Sequence, residues 1–136
     1  MEEMDVAPSV DLLESMRSVG YSLEAAVADL VDNSISAGAR RIEIDLEPVT
    51  ASHVAILDDG AGMSPTEALA ALRLAGSAGE RAATDLGRFG LGLKTASLSQ
   101  ARCLTVITKQ HGETTGLRWD IDHVKRTGRW SLLRLS

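Results

Sequence analysis

Positions 75–90 carry Gly76, Gly79, Gly87 and Gly90 with little apolar periodicity. Glycine costs backbone entropy and offers no side chain to pack. This stretch therefore supplies neither a core helix nor a core strand. The fold has to be built from the segments on either side, with a long loop between them. Loops of this length inside a compact domain are uncommon and usually functional.

The flanking segments read as helices first and strands later. Pro8 opens a helix whose apolar spacing runs over 10–19, and Gly20 stops it. Ser22 is a suitable N-cap for a second helix over about 23–37. Leu23, Ala26, Val27, Leu30, Val31, Ser34 and Ile35 form its apolar face, and Asp29, Asp32, Asn33 and Ser36 a polar one. Ile42, Ile44 and Leu46 alternate with Glu43, Asp45 and Glu47, the period of a strand buried on one face. Residues 54–57 read as a second strand ending in an Asp58-Asp59-Gly60 turn. Ser64 and Pro65 start a helix over about 66–74, and another is expected over 91–98. Strand-like runs follow at 104–108, 115–121 and 130–135. Trp119, in the alternation Leu117, Trp119, Ile121, is expected in the core. The order predicts an α+β sandwich, one sheet with helices on one face.

The 136 residues suit a single domain. Aromatics make up only 3%, so Leu, Ile, Val and Ala must build the core. A net charge of -5 argues against a broad nucleic-acid surface on this domain. Cys103 is the only cysteine, which excludes an internal disulfide and fits a reducing cytoplasm. The acidic start is no signal peptide, and no apolar run suggests a membrane span. His53, His111 and His123 follow no metal-ligand spacing.

Three clusters carry chemistry. Asp29 and Asn33 stand four apart, so one helix face presents both about one turn from each other. An amide oxygen there can bind Mg²⁺, which prefers oxygen ligands. A carboxylate can orient or deprotonate a water aimed at a terminal phosphate. Asp58-Asp59-Gly60-Ala61-Gly62 sets an acid at a strand end beside bare backbone. That acid can accept from an exocyclic amine of adenine, where guanine presents an oxygen. Gly87-Arg88-Phe89-Gly90-Leu91-Gly92-Leu93-Lys94 exposes amide N–H groups at a helix start, an anion site to which Lys94 adds a charge. Each cluster alone also has an ordinary explanation: a solvated helix face, a tight turn, a capped loop. The Walker pattern fails, because Leu93 stands between Gly92 and Lys94-Thr95. The dinucleotide pattern fails at Thr95, where a third glycine is required.

In this order the clusters resemble the ATP-binding domain of gyrase B, the large heat-shock chaperones, histidine kinases and MutL: the GHKL superfamily, with the Bergerat fold. Residues 28–34 resemble the MutL and MORC branches, and 87–94 the MORC-like branch. The resemblance implies a two-layer α+β sandwich, mostly antiparallel, with an ATP lid at 75–90. It implies ATP and Mg²⁺ as cofactors. Asp29 falls at the catalytic base, Asn33 at the magnesium ligand and Asp58 at the adenine-binding aspartate, with Gly60 and Gly62 beside the base. Gly87, Gly90, Leu91, Gly92 and Lys94 fall on the phosphate-binding segment, and Ser77 within reach of a phosphate.

The family base is usually glutamate, one methylene longer than Asp29. The resemblance therefore implies slow ATP hydrolysis, driving lid closure or an ATP-dependent homodimer in a larger protein. The alternatives are a histidine-kinase-type phosphotransferase and an ATP sensor without turnover. The family's late Gly-Thr strand has no counterpart, because Gly112-Glu113-Thr114-Thr115 comes too early. The expectation is a fragment lacking the last strand and the following transducer domain.

Overall fold

The structure is a computed structural model that describes residues 1–4, 22–73 and 91–136. The helix expected over 10–19 and the lid expected over 75–90, with Ser77, Gly87 and Gly90, lie outside the described residues.

Helix α1, Leu23–Ser36, begins where Ser22 accepts a hydrogen bond from the Ala25 amide at 3.1 Å. It ends at Gly38, whose φ of +77° allows the Gly38 and Ala39 amides to turn back onto the Ile35 and Ser34 carbonyls. Strands β1, Ile42–Glu47, and β2, His53–Asp58, pair antiparallel, with Ile44 opposite Ile56 and Ile42 opposite Asp58. Helix α2, Pro65–Leu72, opens with Ser64 accepting from the Glu67 amide and Pro65 in its first turn. Helix α3 spans Leu91–Gln100. Strands β3, Cys103–Gln110, and β4, Glu113–Asp120, form a hairpin whose two-residue turn sets both His111 and Gly112 at positive φ.

Two elements differ from expectation. Residue 121 does not continue β4: Ile121–Thr127 is a helix, α4. Its N-cap is Asp120, whose carboxylate accepts from the Asp122 and His123 amides, and Gly128 terminates it at φ +66°. The last strand, β5, is only Leu133–Arg134, paired with β4.

The architecture is α+β with antiparallel ladders, but β1–β2 and β3–β4–β5 form two separate sheets among the described residues. They meet through side chains. The Met63 amide donates to Thr108 Oγ1 at 2.8 Å, and Gln110 Nε2 donates to the Gly62 carbonyl at 3.2 Å. Gly62 brings the turn after β2 close against β3: its φ is +70°, and a Cβ there would lie 2.0 Å from the Lys109 carbonyl oxygen.

The core packs Ala68 and Leu72 of α2, Leu98 of α3, and Ile121 and Val124 of α4 onto Leu117 and Trp119 of β4. Leu104 and Val106, opposite Trp119 and Leu117, join from β3, while Ile107 on the other face is 69% exposed. Helices therefore cover one face of this sheet, as alternation requires. The end of α2 is closed by side chains. Trp119 Nε1 donates to the Leu72 carbonyl, and Lys94 Nζ to the Arg73 carbonyl. Both acceptors are carbonyls that a helix leaves unpaired at its C-terminus. Among the described residues no helix is long and apolar enough to cross a membrane.

Candidate nucleotide site

The polar face expected on α1 splits in two. Asp29 and Asn33 are half-buried, whereas Asp32 and Ser36 are exposed. Ala26 and Ser34 are the buried positions of this helix. At 3.6 residues per turn, Asn33 lies beside Ala26 while Ile35 lies about 180° from it. Ile35, although in the apolar set, is accordingly 59% exposed, and Leu23, at the first position of the helix, is 44% exposed. The acid and the amide thus stand at the margin of the packed surface.

Asp58, exposed at the end of β2, meets α1 directly. Ser34 Oγ donates to its Oδ2 at 2.6 Å, and the Gly60 amide donates to its Oδ1 at 2.9 Å. Ser34 is 4% exposed. Its role was not legible in the sequence, where it counts as one small residue in an apolar face. The only local signal is a hydroxyl in an otherwise apolar arc beside Asn33.

The neighbouring acid does a different job. Asp59 Oδ1 accepts from the Arg40 and Arg41 amides at 2.7 and 2.8 Å, tying the turn after β2 to the α1–β1 connection. The Ala61 amide donates to the Ala37 carbonyl at 2.9 Å, and a Cβ on Gly60 would lie 2.9 Å from the Ala37 Cβ. Glycine at 60 lets the turn close against the end of α1.

The hydrogen bonds from the Arg41 and then the Arg40 amide hold the Asp59 carboxyl below its ordinary 3.8. A depressed carboxylate contributes stability above its unfolded pKa and loses it as pH falls through the folded one. Asp59→Ala should therefore melt below the parent at about pH 7. The gap should narrow well below pH 3.8, as thermal melts at the two pH values would show. An unchanged gap at low pH would contradict the assignment.

Helix α1 packs against α3, which brings the Asn33 helix beside the helix that follows the glycine-rich segment. Leu91 and Gly92 occupy the first two positions of α3. Lys94, only 6% exposed, is committed to the Arg73 carbonyl, and burial lowers its pKa. In this structure its charge serves the end of α2. Among the described residues no three His, Cys, Asp or Glu side chains gather as a metal cluster. An ion held by one amide oxygen, phosphate oxygens and water requires no such cluster.

Residues 21–136 match the family described as histidine kinase-, DNA gyrase B-, and HSP90-like ATPase. The chain is 38% identical over 94 residues to ATPase morc-1 of Caenorhabditis elegans, covering 68% of this chain and 11% of that protein. It is 35% identical over 100 residues to ATPase MORC2 of Homo sapiens, covering 70% of this chain and 10% of that protein. It is 37% identical over 92 residues to the DNA mismatch repair protein MutL of Syntrophobacter fumaroxidans, covering 65% of this chain and 14% of that protein. The chain thus corresponds to between 10% and 14% of the length of these relatives. With the match spanning nearly all of its length, the chain belongs to the histidine kinase-, DNA gyrase B- and HSP90-like ATPase family.

Proposed function

We propose that this domain binds Mg-ATP between α1 and the glycine-rich start of α3 and hydrolyses it slowly. The observation that carries the reading is the Asp58 carboxylate. It remains exposed while Ser34 and Gly60 orient both of its oxygens. A fixed, accessible acceptor suits the exocyclic amine of adenine and opposes the oxygen of guanine. Gly60 and Gly62, beside Asp58 in the chain, would lie next to the base.

Asn33, half-buried beside the core, would give its amide oxygen to Mg²⁺. That ion, when bound, would neutralise phosphate charge. Asp29, one turn earlier on α1, would orient the attacking water and take its proton. The amides of Gly87, Gly90 and Gly92 would cup the phosphates, with Ser77 and Lys94 as further candidates. Hydrolysis would be slow because the shorter side chain of Asp29 holds its carboxylate back, and misplacement by about an ångström can cost about 10²-fold. The same shortness supports a second reading, an ATP sensor without turnover. In a longer protein, ATP would close residues 75–90 as a lid and promote a homodimer.

Titration of Mg-ATP into the parent and Asn33→Ala tests the metal role. Asn33→Ala should bind at least about tenfold more weakly and lose its dependence on magnesium concentration. Equal affinity and equal magnesium dependence would remove Asn33 from the metal site.

A further inference from the structure

We propose that Ser34 is a positioning residue that makes the base-binding wall accept only amine donors, and so selects adenine over 6-oxo purines. The inference rests on the adenine reading of Asp58. A serine hydroxyl carries one hydrogen. Here that hydrogen goes to Asp58 Oδ2 at 2.6 Å, within the range of a charge-assisted bond. The Gly60 amide takes Oδ1 at 2.9 Å. Two donors on the two oxygens fix the plane of the carboxylate about a terminal torsion that is otherwise broad.

The commitment also fixes what remains. With its hydrogen spent, Ser34 Oγ has only lone pairs to offer, and the Asp58 carboxylate likewise offers only acceptors. The adenine amine can donate to such a wall. Hypoxanthine carries an oxygen at the same position and meets acceptors with an acceptor. Ser34 is held for this task by burial, being 4% exposed, and it follows Asn33 in the chain. One short stretch of α1 therefore carries the proposed metal ligand and the residue that aims the base-binding acid.

Ser34→Ala leaves Asp58 Oδ2 without its donor and frees the carboxylate to rotate. Ser34→Cys keeps the size of the side chain and a weaker donor. The test is calorimetric titration of Mg-ATP and Mg-inosine triphosphate into the parent chain and both variants, with circular dichroism to confirm folding. The parent should prefer ATP. The ratio of the two affinities should fall by about tenfold in Ser34→Ala and by less in Ser34→Cys. A purely structural serine would weaken both triphosphates alike, so an unchanged ratio in folded Ser34→Ala overturns the proposal. Should that variant fail to fold, an unchanged ratio in Ser34→Cys does the same. A parent that binds neither triphosphate overturns the adenine reading itself. A parent that prefers ATP while the variants keep its ratio overturns only the role of Ser34.

Discussion

Gly62→Ala should destabilise the domain by about 3 kcal/mol or more, combining left-handed backbone strain with steric overlap. The φ of +70° alone disfavours a side chain, and the added Cβ would sit 2.0 Å from the Lys109 carbonyl oxygen and 2.9 Å from its carbon. Both obstacles are backbone atoms of β3, so no side chain can swing away to make room. Relief requires the turn after β2 to part from β3, which also breaks the Met63–Thr108 and Gln110–Gly62 hydrogen bonds. Gly128→Ala is the matched comparison. Its φ is +66°, but nothing lies within 4 Å of the added Cβ. That change should cost only about 1 kcal/mol, the conformational part alone. Denaturant titrations of the two variants against the parent read the difference. Equal costs would mean that the approach of Gly62 to β3 does not constrain the fold.

Asp58→Ala should weaken Mg-ATP binding by about 100-fold, judged by calorimetric titration. A hydrogen bond to a charged group contributes about 1.5–3 kcal/mol, a factor of roughly ten to more than a hundred in affinity. The substitution also strips the Ser34 hydroxyl and the Gly60 amide of their acceptor, loosening the wall around the base. Asp59→Ala provides the contrast. Its carboxylate is engaged by the Arg40 and Arg41 amides, so its removal should leave nucleotide affinity close to the parent's. Comparable losses from the two neighbouring acids would indicate that binding responds to turn stability rather than to an acceptor aimed at adenine.

What the sequence discloses is what local chemistry decides. Helix α1 was legible from Ser22 and Gly38, and strand β1 from the alternation beginning at Ile42, because caps and period-two patterns are written in neighbouring residues. The burial of one face expected from that alternation is not found, since Ile44 is 46% and Leu46 57% exposed. Helix α4 escaped because Leu117, Trp119 and Ile121 continue a strand's alternation by coincidence. The structure shows Asp120 capping that helix and Gly128 ending it. The seating of the turn after β2 against β3 could not be read at all, because Gly62 meets Lys109 from 47 residues away in the chain.

The same division runs through the site. The proposed roles of Asp29 and Asn33 rest on a four-residue spacing, and that of Asp58 on an acid before glycines. That Ser34 grips Asp58 is a tertiary fact, as is the commitment of Lys94 to the end of α2. The sequence shows a lysine after glycines, but not that its ammonium group meets the Arg73 carbonyl.

The most direct test of the central claim is to map amide shifts in isotope-labelled protein as Mg-ATP is added. A site assembled from α1, the end of β2 and the start of α3 predicts that Asn33, Ser34, Gly60 and Gly92 respond together and saturate at one ligand concentration. Amides that stay fixed at these four positions, or that move instead on the outer face of β3 around Thr105 and Ile107, would contradict it.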